Sequence, residues 1–104
     1  MKKIVFVCTG NTCRSPMAEG FAKALDISGD FDIQSAGIGA VDGDNASENS
    51  VAAMKDFGID ISGHKAKYLS PEMIQNSDLI LTMTAFQCEF LRNKYPEYAE
   101  KIFA

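Results

Sequence analysis

The 104-residue sequence has no tryptophan, only three prolines and one histidine, and an odd number of cysteines, three. Three cysteines are too few for a disulfide scaffold, and with a single histidine their spacings match no zinc site. No metal or organic cofactor is expected. No apolar stretch approaches the length a membrane span needs, about 18 residues. The run Ile4 to Cys8, behind Met1-Lys2-Lys3, is too short for the apolar part of an export signal. Basic charge is scarce as well. Ten Lys+Arg against 14 Asp+Glu give a formal charge of −4, which opposes the basic field that a nucleic-acid partner requires. These absences predict a cytoplasmic protein that keeps its cysteines as thiols, with no nucleic-acid and no membrane partner.

What is present describes a folded chain. With 46% hydrophobic and 23% charged residues, the composition is that of one compact domain over residues 1–104. Lys3 to Cys8 is a continuous apolar, β-branched run, the pattern of a strand buried on both faces. Ser15-Pro16 reads as a helix start, with Ser15 as cap and Glu19 near the positive end, followed at helical spacing by Met17, Phe21, Ala24 and Leu25. Phe31 to Ser35 alternates like a second strand. Ser47 to Phe57 reads as a helix stopped by Gly58. Ser70-Pro71 opens a short helix around Met73 and Ile74, Asp78 to Met83 is a third strand, Ala85 to Lys94 a further helix, and Lys101 to Phe103 the start of a fourth strand. Strands separated by helices predict an α/β, three-layer, doubly wound parallel sheet of about four strands.

The segment that carries chemistry is Cys8-Thr9-Gly10-Asn11-Thr12-Cys13-Arg14-Ser15. It leaves the C-terminal end of the first strand and enters the first helix, where open α/β sheets bind ligands. Backbone N–H groups and the helix dipole favour an anion there. Gly10 permits a tight turn around a bound group. Arg14, six positions after Cys8, can fold back and set a planar guanidinium on two phosphate oxygens. That positive setting favours the thiolate of Cys8, the nucleophilic form. A Walker-type nucleotide loop is excluded, because no G-x4-G-K-[S/T] pattern occurs. A lone cysteine at a strand end is more often a small core residue; cysteine, five residues, arginine and serine between a buried strand and a Ser-Pro start select catalysis instead.

The stretch Val7 to Glu19 resembles the signature of the low-molecular-weight protein tyrosine phosphatases. The likeness continues through Ser35-Ala36-Gly37, Gly58-Ile59-Asp60, Ser62 to Ala66 and Asp78 to Met83, essentially the whole chain. The resemblance implies a cysteine-dependent phosphatase that hydrolyses phosphotyrosine through phosphocysteine. Cys8 would be the nucleophile and Arg14 the clamp on phosphate and transition state, within a phosphate-binding loop of Thr9, Gly10, Asn11, Thr12, Cys13, Arg14 and Ser15. Residues matching Asn11, Ser15, Ser35 and His64 would hold that loop, with Asn11 in a strained conformation and Ser15 assisting departure of the sulfur. His64 is thus expected to support the loop, not to serve as acid or base. Cys13 is either a second thiol that bridges Cys8 on oxidation or a passive loop residue, and Cys88 is read as filler. The related arsenate reductases need two further cysteines for their relay, and only Cys88 lies in that part of the chain.

Two departures from the family shape further expectations. Its members run longer and carry a general acid in an Asp-Pro-aromatic loop beyond the position of Ala104; here the prolines follow Ser15, Ser70 and Tyr95. Asp42 and Asp44 are expected to be solvated turn carboxylates instead of substitutes. The chain is also expected to lack the family's C-terminal helix, which predicts self-association through the surface left bare, a partner chain, or reduced stability. Thr12 stands where tyrosine-specific members often carry a larger aliphatic residue, whereas the bacterial protein-arginine-phosphatase subset has Thr. The resemblance therefore leaves three expectations: a phosphotyrosine phosphatase, a protein-arginine phosphatase, or a non-catalytic module that binds phosphate or phosphoproteins.

Overall fold

A computed structural model describes residues 2–26 and 28–104; Met1 and Ile27 lie outside the described residues. The chain runs β1 (Lys2–Cys8), α1 (Arg14–Leu25), β2 (Phe31–Gly37), α2 (Glu48–Lys55), α3 (Pro71–Asn76), β3 (Leu79–Thr82), α4 (Ala85–Lys94), a 3-10 segment (Pro96–Lys101) and β4 (Ile102–Phe103). The four strands form one sheet in the order β2-β1-β3-β4, every pair parallel. The predicted α/β class is therefore observed. No helix among the described residues is long and apolar enough to cross a membrane.

The strand order explains where a ligand site can form. From β1 the chain crosses to β2 on one side, and later returns to β3 and β4 on the other. Right-handed crossovers in opposite directions put the helices on opposite faces and leave a crevice where the order switches. That crevice lies beyond the C-terminal ends of β1 and β3, where Val7 pairs with Thr82 and Cys8 with Gly37 on the far side. The main core joins Val5, Val7, Ala36, Leu69, Ile74, Ile80, Leu91 and Ile102. A second, smaller cluster of Ala46, Met54 and Ile61 gathers Met17 of α1 and Val51 of α2.

Several expectations need correction. Ser15 does not cap α1. The helix begins at Arg14 with Cys13 as its flanking residue and no side-chain cap, because the Ser15 hydroxyl is committed to Cys8 and Asn11. The apolar face of α1 is partly open: Leu25 is 78% exposed and Phe21 stacks edge-on against exposed Phe57. The second helix ends at Lys55, and Phe57 and Gly58 form the turn after it, with Gly58 at φ +73°. Pro96–Lys101 was not anticipated as 3-10 helix. Pro96 fits its first turn, and Tyr98 N–H closes back on the Tyr95 carbonyl at 2.9 Å.

Gly37 ties the sheet to the crevice through close approach. A Cβ there would lie 2.5 Å from the Thr9 carbonyl oxygen, 2.8 Å from Ala40 Cβ and 3.0 Å from the Asn11 nitrogen. Two of those atoms are backbone of the β1–α1 loop and cannot swing aside. Gly37→Ala is accordingly expected to cost about 1–3 kcal/mol of stability and to weaken phosphate binding together with it, measured by urea unfolding and by phosphate titration of the folded variant. Wild-type values on both counts would show that the loop does not depend on this contact.

Candidate active site

The loop between β1 and α1 is built by turning its carbonyls away from its centre. The Cys8 oxygen accepts from Ile38 N–H (3.0 Å), Thr9 oxygen from Gly39 N–H (2.9 Å), Thr12 oxygen from Ser47 N–H (2.8 Å) and Cys13 oxygen from Met17 N–H (3.3 Å). The Asn11 oxygen lies 2.8 Å from His64 Nε2. In a trans peptide the N–H of the next residue points opposite to the carbonyl. Outward carbonyls at Thr9, Asn11, Thr12 and Cys13 therefore aim the N–H groups of Gly10, Thr12, Cys13 and Arg14 inward. Such a concavity of main-chain donors is an anion site. It opens on the start of α1, whose first turn carries neither a side-chain cap nor an acidic residue, so the dipole adds to the attraction.

Cys8 sits at the base of this ring and is 6% exposed. Its sulfur accepts from Asn11 N–H at 3.1 Å and lies 2.8 Å from Ser15 Oγ. Asn11 Nδ2 donates to that same Ser15 oxygen at 2.9 Å, which frees the hydroxyl hydrogen for a sulfur anion. Thiolate charge is thus met by a main-chain donor and a hydroxyl donor. Cys8 and Arg14 line one depression of about 230 Å³ together with Thr9, Gly10, Thr12, Cys13 and Gln87.

Asn11 is the residue on which the loop's shape turns. Its φ of +54° is the one positive value among described non-glycine residues, a conformation that asparagine tolerates better than most side chains. The strain is held from three sides. Nδ2 donates to Ser15, Oδ1 accepts from Lys67 N–H at 2.9 Å, and the main-chain oxygen meets His64. Behind His64 stands Glu19, whose carboxylate is 3.9 Å from His64 Nδ1, hydrogen-bonded to the Ser35 hydroxyl and 2.6 Å from Lys23 Nζ.

The predicted residues therefore fall into two shells around the sulfur. Thr9 to Ser15 form the ring, while His64 braces it. Ser35 does not touch the ring; it binds Glu19. Glu19, read from the sequence only as a charge near the helix start, is one turn beyond Ser15, and that spacing was the available signal. Gln87 was not anticipated. Asp42 accepts from Tyr68 N–H at 2.7 Å, and neither it nor exposed Asp44 lines the depression. Cys13 is exposed and its sulfur accepts from the Ser50 hydroxyl at 3.2 Å. Cys88 packs on the main core with its sulfur 3.7 Å from the Ile102 oxygen. A larger cleft of about 640 Å³ includes His64 and Glu19 but none of Cys8 to Arg14. Among the described residues, no group of three His, Cys, Asp or Glu side chains could hold a metal ion.

A cysteine under a ring of amides with an arginine at the helix start defines a cysteine-based oxyanion site on an α/β sheet. The chain belongs to the low molecular weight phosphotyrosine protein phosphatase family, whose model matches residues 3–104. An arsenate reductase of Staphylococcus aureus (strain Newman) is 43% identical over 82 residues, 79% of this chain and 60% of that protein's length. The chain thus spans less than two thirds of that relative. Solved structures include a low molecular weight protein tyrosine phosphatase from T. tengcongensis, 47% identical with a TM-score of 0.90, covering 100% of this chain and 73% of that one. The YwlE arginine phosphatase from Geobacillus stearothermophilus is 34% identical with a TM-score of 0.91, covering 100% and 66%.

Removing the Asn11 side chain should leave the Lys67 N–H without its partner and the positive φ without its compensation. Asn11→Ala is expected to lower the free energy of unfolding by about 2 kcal/mol, read from urea unfolding. A loss below about 0.5 kcal/mol would mean that the loop holds its shape without this residue.

Proposed function

We propose that the chain hydrolyses phosphorylated protein side chains through a phosphocysteine formed on Cys8. The observation that carries this reading is the position of the Cys8 sulfur, hydrogen-bonded by Asn11 N–H and beside the Ser15 hydroxyl, under inward N–H groups and in one depression with Arg14. The phosphoryl oxygens occupy the amide ring, and the Arg14 guanidinium takes the charge that builds on the equatorial oxygens. The thiolate attacks phosphorus in line as the bond to the leaving group breaks. The leaving group departs with the electron pair and takes a proton from solvent or an acid. Water then attacks the phosphocysteine, gives its proton to solvent, and releases inorganic phosphate. Ser15 hydrogen-bonds the sulfur as the S–P bond breaks in this second step.

Phosphotyrosine is the first substrate reading, in keeping with the family. A second reading, phosphoarginine, is favoured by Thr12, which is half-buried and lines the depression. A small hydroxyl there leaves room for a guanidinium and a partner for its N–H groups, whereas a bulkier aliphatic side chain would favour a ring. Similar structures on this scaffold are named for both activities, one an arginine phosphatase and one a tyrosine phosphatase. An arsenate-reductase reading has less support, since Cys88 is turned to the core and not to the depression. Three unpaired cysteines fit a reducing compartment such as the cytoplasm.

Turnover of an activated aryl phosphate is expected, and Cys8→Ser should reduce it at least about 10³-fold while phosphate still binds. Arg14→Lys should lower turnover about 10²-fold, because an ammonium cannot make the paired contact to two oxygens. Phosphate binding without any turnover in the wild type would overturn the hydrolase reading and leave a binding module. With phosphotyrosine and phosphoarginine peptides compared, Thr12→Ile should shift the ratio of kcat/KM toward phosphotyrosine by roughly tenfold. An unchanged ratio would remove Thr12 as a determinant of substrate choice.

A further inference from the structure

Gln87 is the one residue among those described that lines the Cys8 depression from outside the loop itself. It is buried, 7% exposed, and its backbone belongs to the first turn of α4. Its amide orientation is fixed by chemistry. Met83 N–H and Thr84 N–H both reach Gln87 Oε1 at 3.1 Å, and two donors require the oxygen on that side. The nitrogen must then face the loop, where Nε2 donates to Thr9 Oγ1 at 3.1 Å. The residue is also held by its main chain, since Gln87 N–H donates to Thr84 Oγ1 and completes a capping box.

Thr9 is consequently held at both ends. Gly39 N–H fixes its carbonyl at 2.9 Å, and Gln87 fixes its hydroxyl. The peptide between Thr9 and Gly10 supplies the first inward N–H of the ring, and its plane is set by these two contacts. The Asn11–Ser15–His64 bonds brace the middle and far side of the loop, so the near side depends on the pair of Gly39 and Gln87.

We propose that Gln87 is a positioning residue for the phosphate loop: locked at one end by the β3–α4 turn, its amide pins Thr9 and so aims the Gly10 N–H at the bound phosphoryl group. Its side-chain hydrogen bonds go to Thr9, Met83 and Thr84, so it acts on the ring through Thr9. This role rests on the hydrolase reading above, and it makes the start of α4 part of the site's rigid frame.

The test separates a positioning role from a purely structural one by comparing both ends of the hydrogen bond. Thr9→Val removes the acceptor and leaves the capping box intact, whereas Thr9→Ser keeps the hydroxyl. Gln87→Met keeps the length of the side chain and removes its donor and acceptor. The readouts are the Kd of inorganic phosphate, KM and kcat on an aryl phosphate, and Tm. Expected are a rise of about five- to tenfold in phosphate Kd and in KM for Thr9→Val and for Gln87→Met, a clearly smaller rise for Thr9→Ser, and no additional loss when Gln87→Met is combined with Thr9→Val.

A Gln87→Met protein with reduced Tm but wild-type phosphate Kd overturns the proposal and leaves Gln87 as a helix cap. If that variant does not fold, Thr9→Val and Thr9→Ser decide: equal phosphate affinities overturn the proposal, and a clearly larger loss for Val supports it. A wild type that binds no phosphate would overturn the hydrolase reading and this role with it. A wild type that binds and turns over, beside variants that do so equally well, would remove Gln87 alone.

Discussion

Everything at the site follows from where the loop's carbonyls go. Backbone N–H and C=O groups are both obligatory hydrogen-bonding partners, and a loop that turns one set outward must turn the other inward. Here the outward carbonyls are received by residues 38 and 39, Ser47, His64 and the first turn of α1. Four separate parts of the fold therefore share the work of holding one ring. The inward donors are left unpaired by the loop itself, the arrangement that favours an anionic guest. Cys8 sits at the base of that field, its sulfur already accepting from Asn11 N–H.

The surrounding fold makes this conformation sustainable. A positive φ at Asn11 is sustained because its side chain and carbonyl are bonded to three residues, Ser15 of α1 and His64 and Lys67 of the loop before Leu69. The parallel sheet brings Gly37 directly beside Cys8, and the missing side chain there allows Thr9 and Asn11 to approach. Glu19 and Ser35 form a polar layer one step further out, reaching His64 from α1 and β2. No buried side-chain nitrogen or oxygen among the described residues is left without a partner, and a fully satisfied network of this kind is what fixes a single geometry.

Legibility in the sequence followed locality. Cys8, Arg14 and the intervening loop could be read because strand, anion cradle and helix start are contiguous, and the strands because each carries a local signal, an apolar run in Lys3 to Cys8 and Asp78 to Met83 and alternation in Phe31 to Ser35. What could not be read was contact across long sequence distances. Gln87 meets Thr9 across 78 positions and Lys67 meets Asn11 across 56, and neither residue carries a local sign of its partner. Ser15 was misread as a helix cap because Ser-Pro has that meaning in isolation; the competing demand of Cys8 and Asn11 on its hydroxyl is a tertiary fact. The apolar spacing of α1 says which residues share a face and not what covers it. Phe21 and Leu25 remain exposed.

The central claim is that a sulfur anion at Cys8 attacks a phosphoryl group held by the amide ring. Rapid mixing of the protein with an activated aryl phosphate, acid quench and mass analysis of the peptide that contains Cys8 tests it most directly. A transient phosphoryl adduct on Cys8, appearing with the burst of released phenol and decaying at the steady-state rate, is the predicted result. Turnover with no adduct on Cys8, or an adduct elsewhere in the chain, would contradict the account.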